Sequence, residues 1–551
     1  MSSATAAPDS CASPDAPSAE KMAPPSGTER VNCRVVLLCM FVANTGLFHG
    51  YDNGVVSDVF TMPAFREMMG WPAVDDESAA FQKGLTVNGF NVGAAISAVL
   101  CGHLIVDRFG RRPALILGSM LFALGGAVQT VATSAAILIC GRLIAGVGCG
   151  VTSCAGPAYI AEVAPASIRG AMVGIYQSNV CLAIVAASVL NYYDHSMHDG
   201  WRWSLGVQIV VGAVTAIGLF FVGDTPRFLE SVGRSGEALK ILTYLRGGNA
   251  EAASAELATV RAELEEERIA GSATWSEVMS NPHFRNVVTL GCLVQFFQIM
   301  TGINAMVSFG GTLFETLGVA GLGSALVPSL AFFSGNAIGS FGLVDRAGRR
   351  SLLVLGMASM AATMLVGGIV ALATDPGDGR LPEGAGLVVV VMIIGYMFSF
   401  GVSWGFGAWL YISEVMPLRV RGKAVGLCTA VNWGPANVLS AFITPAMIAG
   451  PMGPGGTLLF FGVISAFVVP FALLCLPETR GRSLEEITPM FRFSGCGEFR
   501  RFVAGNLRHG TGMGLDAAKA EKGASKEAAP LPSAPPGGAS DEDEGDHLLT
   551  A

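Results

Sequence analysis

Asp107-Arg-Phe-Gly-Arg-Arg112 and Asp345-Arg-Ala-Gly-Arg-Arg350 are two copies of one motif, and they decide how the chain is organised. Each copy follows the second long apolar run of its half of the chain. A second motif repeats in the same way. Glu162-Val-Ala-Pro-Ala-Ser-Ile-Arg-Gly170 recurs as Glu414-Val-Met-Pro-Leu-Arg-Val-Arg-Gly422, each after the fourth run. The repeats predict two similar halves.

The composition around these motifs is that of a membrane protein. Of the 551 residues, 51% are hydrophobic and only 14% are charged, whereas a soluble domain carries about 25% charge. A chain of this length would need a charged coat to remain in water, so lipid must be its main solvent. The net charge of −8 includes the tail run Asp541 to Glu544 and indicates no nucleic-acid partner.

Twelve apolar runs have about the 20 residues that a membrane-spanning helix needs. We predict them near 35–58, 84–106, 113–134, 136–160, 170–192, 203–223, 286–317, 321–344, 352–373, 386–413, 422–447 and 457–476. The expected fold class is an all-α membrane protein with two six-helix bundles, at 31–223 and 286–476. Parallel repeats of this kind build transporters whose binding site lies between the halves.

The remaining segments are polar. Residues 1–30 are rich in Ala, Ser and Pro and are expected to be a disordered tail without a signal peptide. Residues 224–285 form a charged linker, with a predicted helix from Ala252 to Arg268, and 477–551 form the C-terminal tail. The basic loops (Arg108, Arg111 and Arg112; Arg346, Arg349 and Arg350; Arg419, Arg421 and Lys423) all fall on the side of the tails and the linker. Because positive charge stays inside, we expect both termini to be cytosolic.

No enzyme chemistry is indicated. The twelve cysteines have neither disulfide nor metal spacing and lie mostly in apolar runs. We find no nucleophile arrangement, metal cluster or phosphate loop, so we expect no enzyme activity, no metal and no cofactor.

Several motifs in order resemble the sugar porter family of the major facilitator superfamily across about residues 35–490. They are Gly50-Tyr-Asp-Asn-Gly54, Gly141-Arg142, Pro157-Ala-Tyr-Ile-Ala-Glu162, Thr301-Gly-Ile-Asn304 and Pro477-Glu-Thr-Arg-Gly-Arg-Ser-Leu-Glu485. Within the family, Gly50 to Gly54, Asn191-Tyr-Tyr193 and Ser403-Trp-Gly405 look most like the plant and green-algal hexose–proton symporters. The resemblance implies the major facilitator fold and transport of a monosaccharide with a proton as coupling ion.

The repeated loops place arginines beside carboxylates at helix ends, where ion pairs can clamp a gate and must break when it opens. The resemblance implies that seven residues act in this way: Arg111, Glu162, Arg169, Asp345, Arg349, Glu414 and Arg421. The alternative is that these loops only fix the orientation of the chain in the membrane.

Asp52 and Arg142 are charges within predicted spans. Asp52 lies roughly 27 Å along the first helix at 1.5 Å per residue, and each residue is about six residues from the outer end of its helix, so their depths match. A carboxylate facing an arginine is held ionised and accepts a proton more readily once separated from it. The resemblance assigns the pair to proton coupling; a purely structural buried pair is the alternative. His49, one turn before Asp52, could tune this switch or simply be interfacial.

Sugar hydroxyls both donate and accept hydrogen bonds, so amides match them, while Trp packs on the apolar face of a sugar ring. The resemblance implies five sugar contacts: Gln177, Gln298, Asn304, Trp409 and Asn432. Gln298 and Asn304 can face one cavity only if their helix breaks, and Gly302 is well placed for a break. Membrane amides can also simply join helices. Two positions depart from the family: Ile299 replaces a second Gln, and a sugar-contacting Asn falls on Phe333 unless a three-residue deletion brings Asn336 there.

We therefore expect a proton–hexose symporter of the plasma membrane. Two alternatives remain open: a passive hexose or polyol facilitator, and a non-transporting sugar sensor that signals through its tails. Expected partners are a monosaccharide, protons and the lipid bilayer. Glu544-Gly-Asp-His-Leu-Leu549 also matches an acidic dileucine motif, which would bind sorting adaptors.

Overall fold

The computed structural model describes residues 32–72, 77–101, 105–165, 168–195, 197–271, 273–316, 322–375, 381–417, 419–480, 487–491 and 495–509. Every regular element in these ranges is helical. The predicted N-terminal tail and the dileucine motif at Glu544 to Leu549 lie outside the described residues.

In the described part of the first half we label six long helices. They are α1 (Cys33–Val59), α2 (Glu77–Cys101), α3 (Arg111–Thr130), α4 (Ala135–Val163), α5 (Arg169–Asp194) and α6 (Gly200–Leu219). A turn at Asn44 and Thr45 interrupts α1, and the short helix Pro63–Met69 follows it.

The second half repeats the arrangement. Its long helices in the described ranges are α7 (Pro282–Val307), α8 (Leu322–Ile338), α9 (Arg349–Thr374), α10 (Glu383–Val415), α11 (Arg421–Val431 continuing to Asn437–Ala449) and α12 (Gly453–Cys475). Gly310–Thr316 extends α7 by two further turns.

Ten of the described helices are long and apolar enough to cross a membrane, by length and composition. The predicted second and eleventh spans, α2 and α11, are also helical and pack against each other across the two halves. Asn88 Nδ2 on α2 donates to Val438 O on α11 at 3.2 Å, and the Phe81 and Phe442 rings stack at 5.5 Å. Polar residues of these two helices therefore face protein instead of lipid, where they would be costly.

Glycines bring α1 against α5. A Cβ added at Gly46 would lie 2.5 Å from Tyr176 O, and one at Gly50 would lie 1.9 Å from Val180 O. Small residues four apart let two membrane helices approach to backbone contact. This contact fixes the position of the Asp52 turn of α1.

The break predicted in α7 is confirmed. Its first part ends at Met300 and the next begins at Ile303. Between them Gly302 has φ +100°, a conformation that side chains with a Cβ rarely adopt, and an added Cβ would meet Phe461.

Three π-helical turns lie in the described part of the second half: Gly339–Leu343 after α8, Gly401–Gly405 within α10 and Asn432–Ala436 within α11. Pro435 lies inside the third turn, where its missing N–H removes a helical hydrogen bond. Such turns shift the register of a helix and often lie at functional sites.

The described part of the linker contains the short helices Pro226–Ser231, Ser235–Leu245 and Trp275–Ser280 and the longer helix Ala250–Ala270. The predicted helix from Ala252 to Arg268 is thereby confirmed. Lys423 Nζ donates to Ala273 O at 2.7 Å, and Arg419 pairs with Glu277 at 3.0 Å. The basic loops and the linker thus share one end of the bundle, which we call the linker side; the other end is the distal side.

Candidate substrate and coupling site

Asp52 and Arg142 form a buried ion pair between α1 and α4. Arg142 Nη2 lies 3.0 Å from Asp52 Oδ2, and Nη1 lies 3.4 Å from Oδ1. The side chains are 0% and 1% exposed, respectively. Arg142 Nε also donates to Thr86 O on α2 at 2.7 Å, so α2 holds the guanidinium in place. The matching depths predicted from the sequence correspond to a direct contact, in the forked geometry that suits arginine and carboxylate.

Trp433 from the second half packs onto the helices that carry this pair. Its ring lies 4.6 Å from His49 and 5.9 Å from Phe90, and Phe90 lies 5.6 Å from Arg142 Cζ. Trp433 Nε1 is buried and has no hydrogen-bond acceptor among the described residues. Phe90 therefore lies between the ion pair and Trp433, and it connects the pair with the second half.

Four amide side chains on α7 and α11 bond to one another. Asn432 Nδ2 donates to Gln295 Oε1 at 2.8 Å and to Gln298 Oε1 at 3.0 Å. Asn437 Nδ2 donates to Asn432 Oδ1 at 3.2 Å. The structure thus brings the predicted residues Gln298 and Asn432 into contact.

Asn304 joins the same cluster from beyond the α7 break. Its Nδ2 donates to Asn437 Oδ1 at 2.8 Å. Asn437 was not predicted, because five residues correspond to about 140° around an ideal α-helix, which places Asn437 away from Asn432. The π-helical turn between them has i→i+5 hydrogen bonds and brings both onto one face.

Gln298 also donates hydrogen bonds to backbone carbonyl groups in the π-helical turn of α10. Its Nε2 donates to Trp404 O at 2.8 Å and Gly405 O at 3.1 Å. These carbonyls lie where the helical hydrogen-bond pattern changes, so the amide replaces bonds that the regular ladder would supply. One donor of the cluster stays unpaired among the described residues: Gln295 Nε2 is buried without an acceptor.

Gln177 and Trp409, the other two predicted sugar contacts, are partly exposed and outside this cluster. Gln177 Nε2 lies 4.0 Å from Cys181 Sγ, a weak contact. Next to it, Ser178 accepts a hydrogen bond from Asn336 Nδ2 at 3.0 Å. Asn336, not Phe333, therefore presents an amide to α5.

On the linker side, Glu162 binds two partners within the first half. Arg111 Nη2 lies 2.8 Å from Glu162 Oε1, and Thr225 Oγ1 donates to Oε2. Asp224 accepts from the backbone N–H groups of Arg111 and Arg112 at 3.1 and 3.3 Å, which caps the start of α3 with a carboxylate.

The second half repeats these contacts. Arg349 Nη2 lies 3.0 Å from Glu414 Oε1, and Thr479 Oγ1 donates to Glu414 Oε2 at 2.6 Å. Glu478 accepts from the N–H groups of Arg349 and Arg350 at 2.9 and 3.2 Å. The sequence analysis did not predict that the acid–threonine pairs Asp224-Thr225 and Glu478-Thr479 take part in these contacts. Both pairs follow the last helix of their half, and this repeated position could have indicated a shared role.

The other three predicted gating residues are placed differently. Arg169 is exposed, and none of the described ion pairs includes it. Arg421 Nε donates to Met416 O at 3.3 Å instead of binding a carboxylate. The side chain of Asp345 lies outside what the structure describes.

Hydrogen bonds between the halves concentrate away from the linker side. Ser308 Oγ donates to Asn53 Oδ1 at 3.5 Å, and Gly311 N donates to Ser57 Oγ at 2.9 Å. Further bonds join Ser188 with Ser329 and Lys83 with Thr312. In contrast, the Arg111–Glu162 and Arg349–Glu414 pairs each stay within one half. The halves are therefore in contact on the distal side.

A family model described as "Sugar (and other) transporter" matches residues 38–491. A probable glucose transporter of Neurospora crassa is 31% identical over 85% of this chain and 81% of its own length. An arabinose-proton symporter of Bacillus subtilis is 30% identical over 83% and 95%. Sugar transport protein 5 of Arabidopsis thaliana is 31% identical over 82% and 92%.

Among solved structures, a partially occluded inward-open conformation of the xylose transporter XylE from E. coli superposes with a TM-score of 0.70 at 23% identity. The match covers 82% of this chain and all of that one. It supports the arrangement of helices described above.

Proposed function

Because the chain belongs to the sugar transporter family of the major facilitator superfamily, we propose that it imports a hexose together with a proton by alternating access. The observation that carries the proposal is the juxtaposition of a buried, titratable ion pair with an uncharged amide cluster. Asp52 and Arg142 lie in one half, the amides lie in the other, and Trp433 links them.

The amide cluster suits a neutral polyhydroxyl substrate. Amides match hydroxyls as donors and acceptors without adding charge to the membrane interior. We assign sugar contacts to Gln177, Gln298, Asn304, Asn432 and Trp409. Gln295 Nε2 and Trp433 Nε1 are buried donors without acceptors in the described residues. Sugar oxygens that accept from them would remove the free-energy cost of leaving two buried donors without hydrogen bonds. That a relative in Neurospora crassa is named a probable glucose transporter supports a hexose.

The ion pair suits proton coupling. Arg142 keeps Asp52 ionised while the two are in contact, and separation of α1 from α4 would leave a carboxylate that binds a proton. The arginine is anchored on α2 through Thr86 O, so a shift of the Asp52 turn relative to α2 and α4 would part the charges. A named arabinose-proton symporter among the relatives supports this assignment.

We assign the linker side to the cytosol, following the basic loops, and place the protein in the plasma membrane. The distal contacts between the halves then close the extracellular gate. The Arg111–Glu162 and Arg349–Glu414 pairs hold the cytosolic helix ends within each half, so they set the shape of the rigid bodies that rock about the site. The predicted binding of sorting adaptors to Glu544 to Leu549 remains part of this proposal.

Uptake of labelled glucose in a cell that lacks hexose transport tests the function. We expect accumulation above the external concentration, greater at external pH near 5.5 than near 7.5, and its loss with a protonophore. Competition by unlabelled pentoses and polyols would define the substrate. Uptake that ignores both pH and protonophore would leave passive facilitation, and the absence of uptake by correctly inserted protein would leave a sensor.

A further inference from the structure

Asp58 is a second carboxyl residue on α1, and the coupling pair does not involve it. It lies six residues beyond Asp52, about 9 Å further along the helix towards the distal side. It is partly buried and borders a cavity between the halves, whose lining includes Ser188, Ser329 and Gly310. Its Oδ2 lies 3.5 Å from Asn191 Nδ2, a contact at the limit of a hydrogen bond.

The second half packs directly onto this carboxyl group. A Cβ added at Gly311 would lie 2.8 Å from Asp58 Oδ1 and 2.7 Å from Ser57 O. Only a residue without a side chain lets α7 and its extension approach α1 this closely. Asp58 is therefore part of the distal contact itself.

No counter-charge offsets Asp58 within the described residues, since none of their ion pairs includes it. The charged side chains on the surrounding elements include Arg66, Lys83, Arg142, Asp194, Arg202 and Glu315, together with Glu67 and Glu77, which carry the same charge as Asp58. Arg66 donates to Pro72 O, Lys83 to Thr312 Oγ1 and Arg202 to Thr130 O. Arg142 binds Asp52, Asp194 accepts from Ser204, and Glu315 is exposed.

The backbone N–H of Gly311, the glycine that packs against Asp58, is also occupied. Gly311 N–H donates to Ser57 Oγ at 2.9 Å, so it is not available to the carboxylate. An ionised group moved from water into such a contact loses hydration without gaining an ion pair, and burial of that kind is costly. The neutral acid avoids most of this cost.

We propose that Asp58 is a second proton-binding site, which takes a proton from the distal side and must be neutral for α1 and α7 to close there. The proposal deepens the transport function above and rests on it. A proton from distal water binds the carboxylate while the gate is open, closure buries the neutral acid, and reopening returns it to water. Closure on the distal side therefore becomes easier as the distal pH falls.

A cysteine pair can report closure. A Cβ at Gly310 would lie 3.6 Å from Ser57 Oγ, so Ser57→Cys with Gly310→Cys can form a disulfide when the gate is closed. The rate of disulfide formation by copper phenanthroline is measured in the full-length protein in membranes, between distal pH 5 and 8. The same pair is placed in Asp58→Asn and Asp58→Ser backgrounds as matched controls, because disulfide chemistry itself slows at low pH.

We expect the rate with Asp58, divided by the rate in either control, to be near one at pH 5 and to fall severalfold by pH 8. A ratio that is independent of pH, or that rises with pH, would overturn the proposal. The two controls should agree with each other, since both lack the titratable group. The protonophore sensitivity of wild-type uptake tests the symport function separately. Failure of the Asp58 proposal is therefore distinguishable from failure of the proposed symport.

Discussion

Glu162 and Glu414 occupy the same place in the two halves of the molecule. Each carboxylate pairs with an arginine from the loop after the second helix of its half. Each also accepts a hydrogen bond from a threonine hydroxyl in the segment after the sixth helix. Each carboxylate therefore ties three chain segments of one half together, on the linker side.

Neutralising these carboxylates should impair movement more than binding. We expect Glu162→Gln and Glu414→Gln each to lower the maximal rate of sugar exchange about tenfold, equivalent to about 1.4 kcal/mol, because Arg111 or Arg349 loses its counter-charge in a partly buried position. Sugar affinity should change less than threefold. Labelled sugar exchange and equilibrium binding measure the two quantities.

Glu265→Gln is the matched control, since Glu265 pairs with Arg268 on the exposed linker helix, where ion pairs contribute little. A control that slows exchange as much as the two clamp variants would contradict a specific role for them.

Asp52→Asn should separate sugar movement from proton movement. The amide keeps the size and some hydrogen bonding of the side chain but cannot titrate, so inserted protein should exchange sugar down its gradient without accumulating it. Arg142 loses its counter-charge in a buried site, so a lower yield is expected. The measurement is labelled hexose accumulation and counterflow, per inserted protein.

Asp199→Asn makes the same chemical change at an exposed position, 3.5 Å from Arg202, and should leave accumulation unaltered. Accumulation by Asp52→Asn at the wild-type level would exclude Asp52 as the coupling site.

Loss of an amide that we assign to the sugar site should lower affinity. We expect Gln177→Ala and Asn304→Ala each to weaken sugar binding by about 1–3 kcal/mol, the cost of leaving a polar partner unpaired. Asn304→Ala also removes the donor to Asn437 Oδ1, so its effect should be the larger. Binding isotherms for the purified protein give the values, with exposed Ser334→Ala as the control. Unchanged affinity in both amide variants would remove these residues from the site.

The glycine of each repeated Asp-Arg-x-Gly-Arg-Arg loop should be irreplaceable. Gly110 and Gly348 have φ +102° and +86°, a region that costs other residues about 1–3 kcal/mol. An added Cβ would also meet Asp224 Oδ2 at 2.1 Å or Glu478 Oε2 at 2.5 Å. We expect Gly110→Ala and Gly348→Ala to lower the melting temperature and the folded yield.

Gly236→Ala is the control for these variants, because an added Cβ there meets nothing within 4 Å. Equal melting temperatures for all three variants would contradict the strain argument.

The helices and the two-half organisation were predictable from the sequence because both depend on local patterns. A span requires about 20 apolar residues whatever surrounds it, and the repeated loops mark equivalent points in each half. The break at Gly302 was predictable for a similar reason: Gln298 and Asn304 point to different sides of an unbroken helix.

The tertiary structure decided which polar groups meet. The π-helical turns within α10 and α11 rotate the segments beyond them, which brings Asn437 to Asn432 and leaves carbonyl groups of α10 to accept from Gln298. Patterns that assume 3.6 residues per turn cannot anticipate such shifts, because one inserted residue rotates everything beyond it by about 100°. The contact of Asp58 with the second half likewise depends on Gly311, 253 positions away in the chain, and only the packing of α1 against the extension of α7 brings the two together.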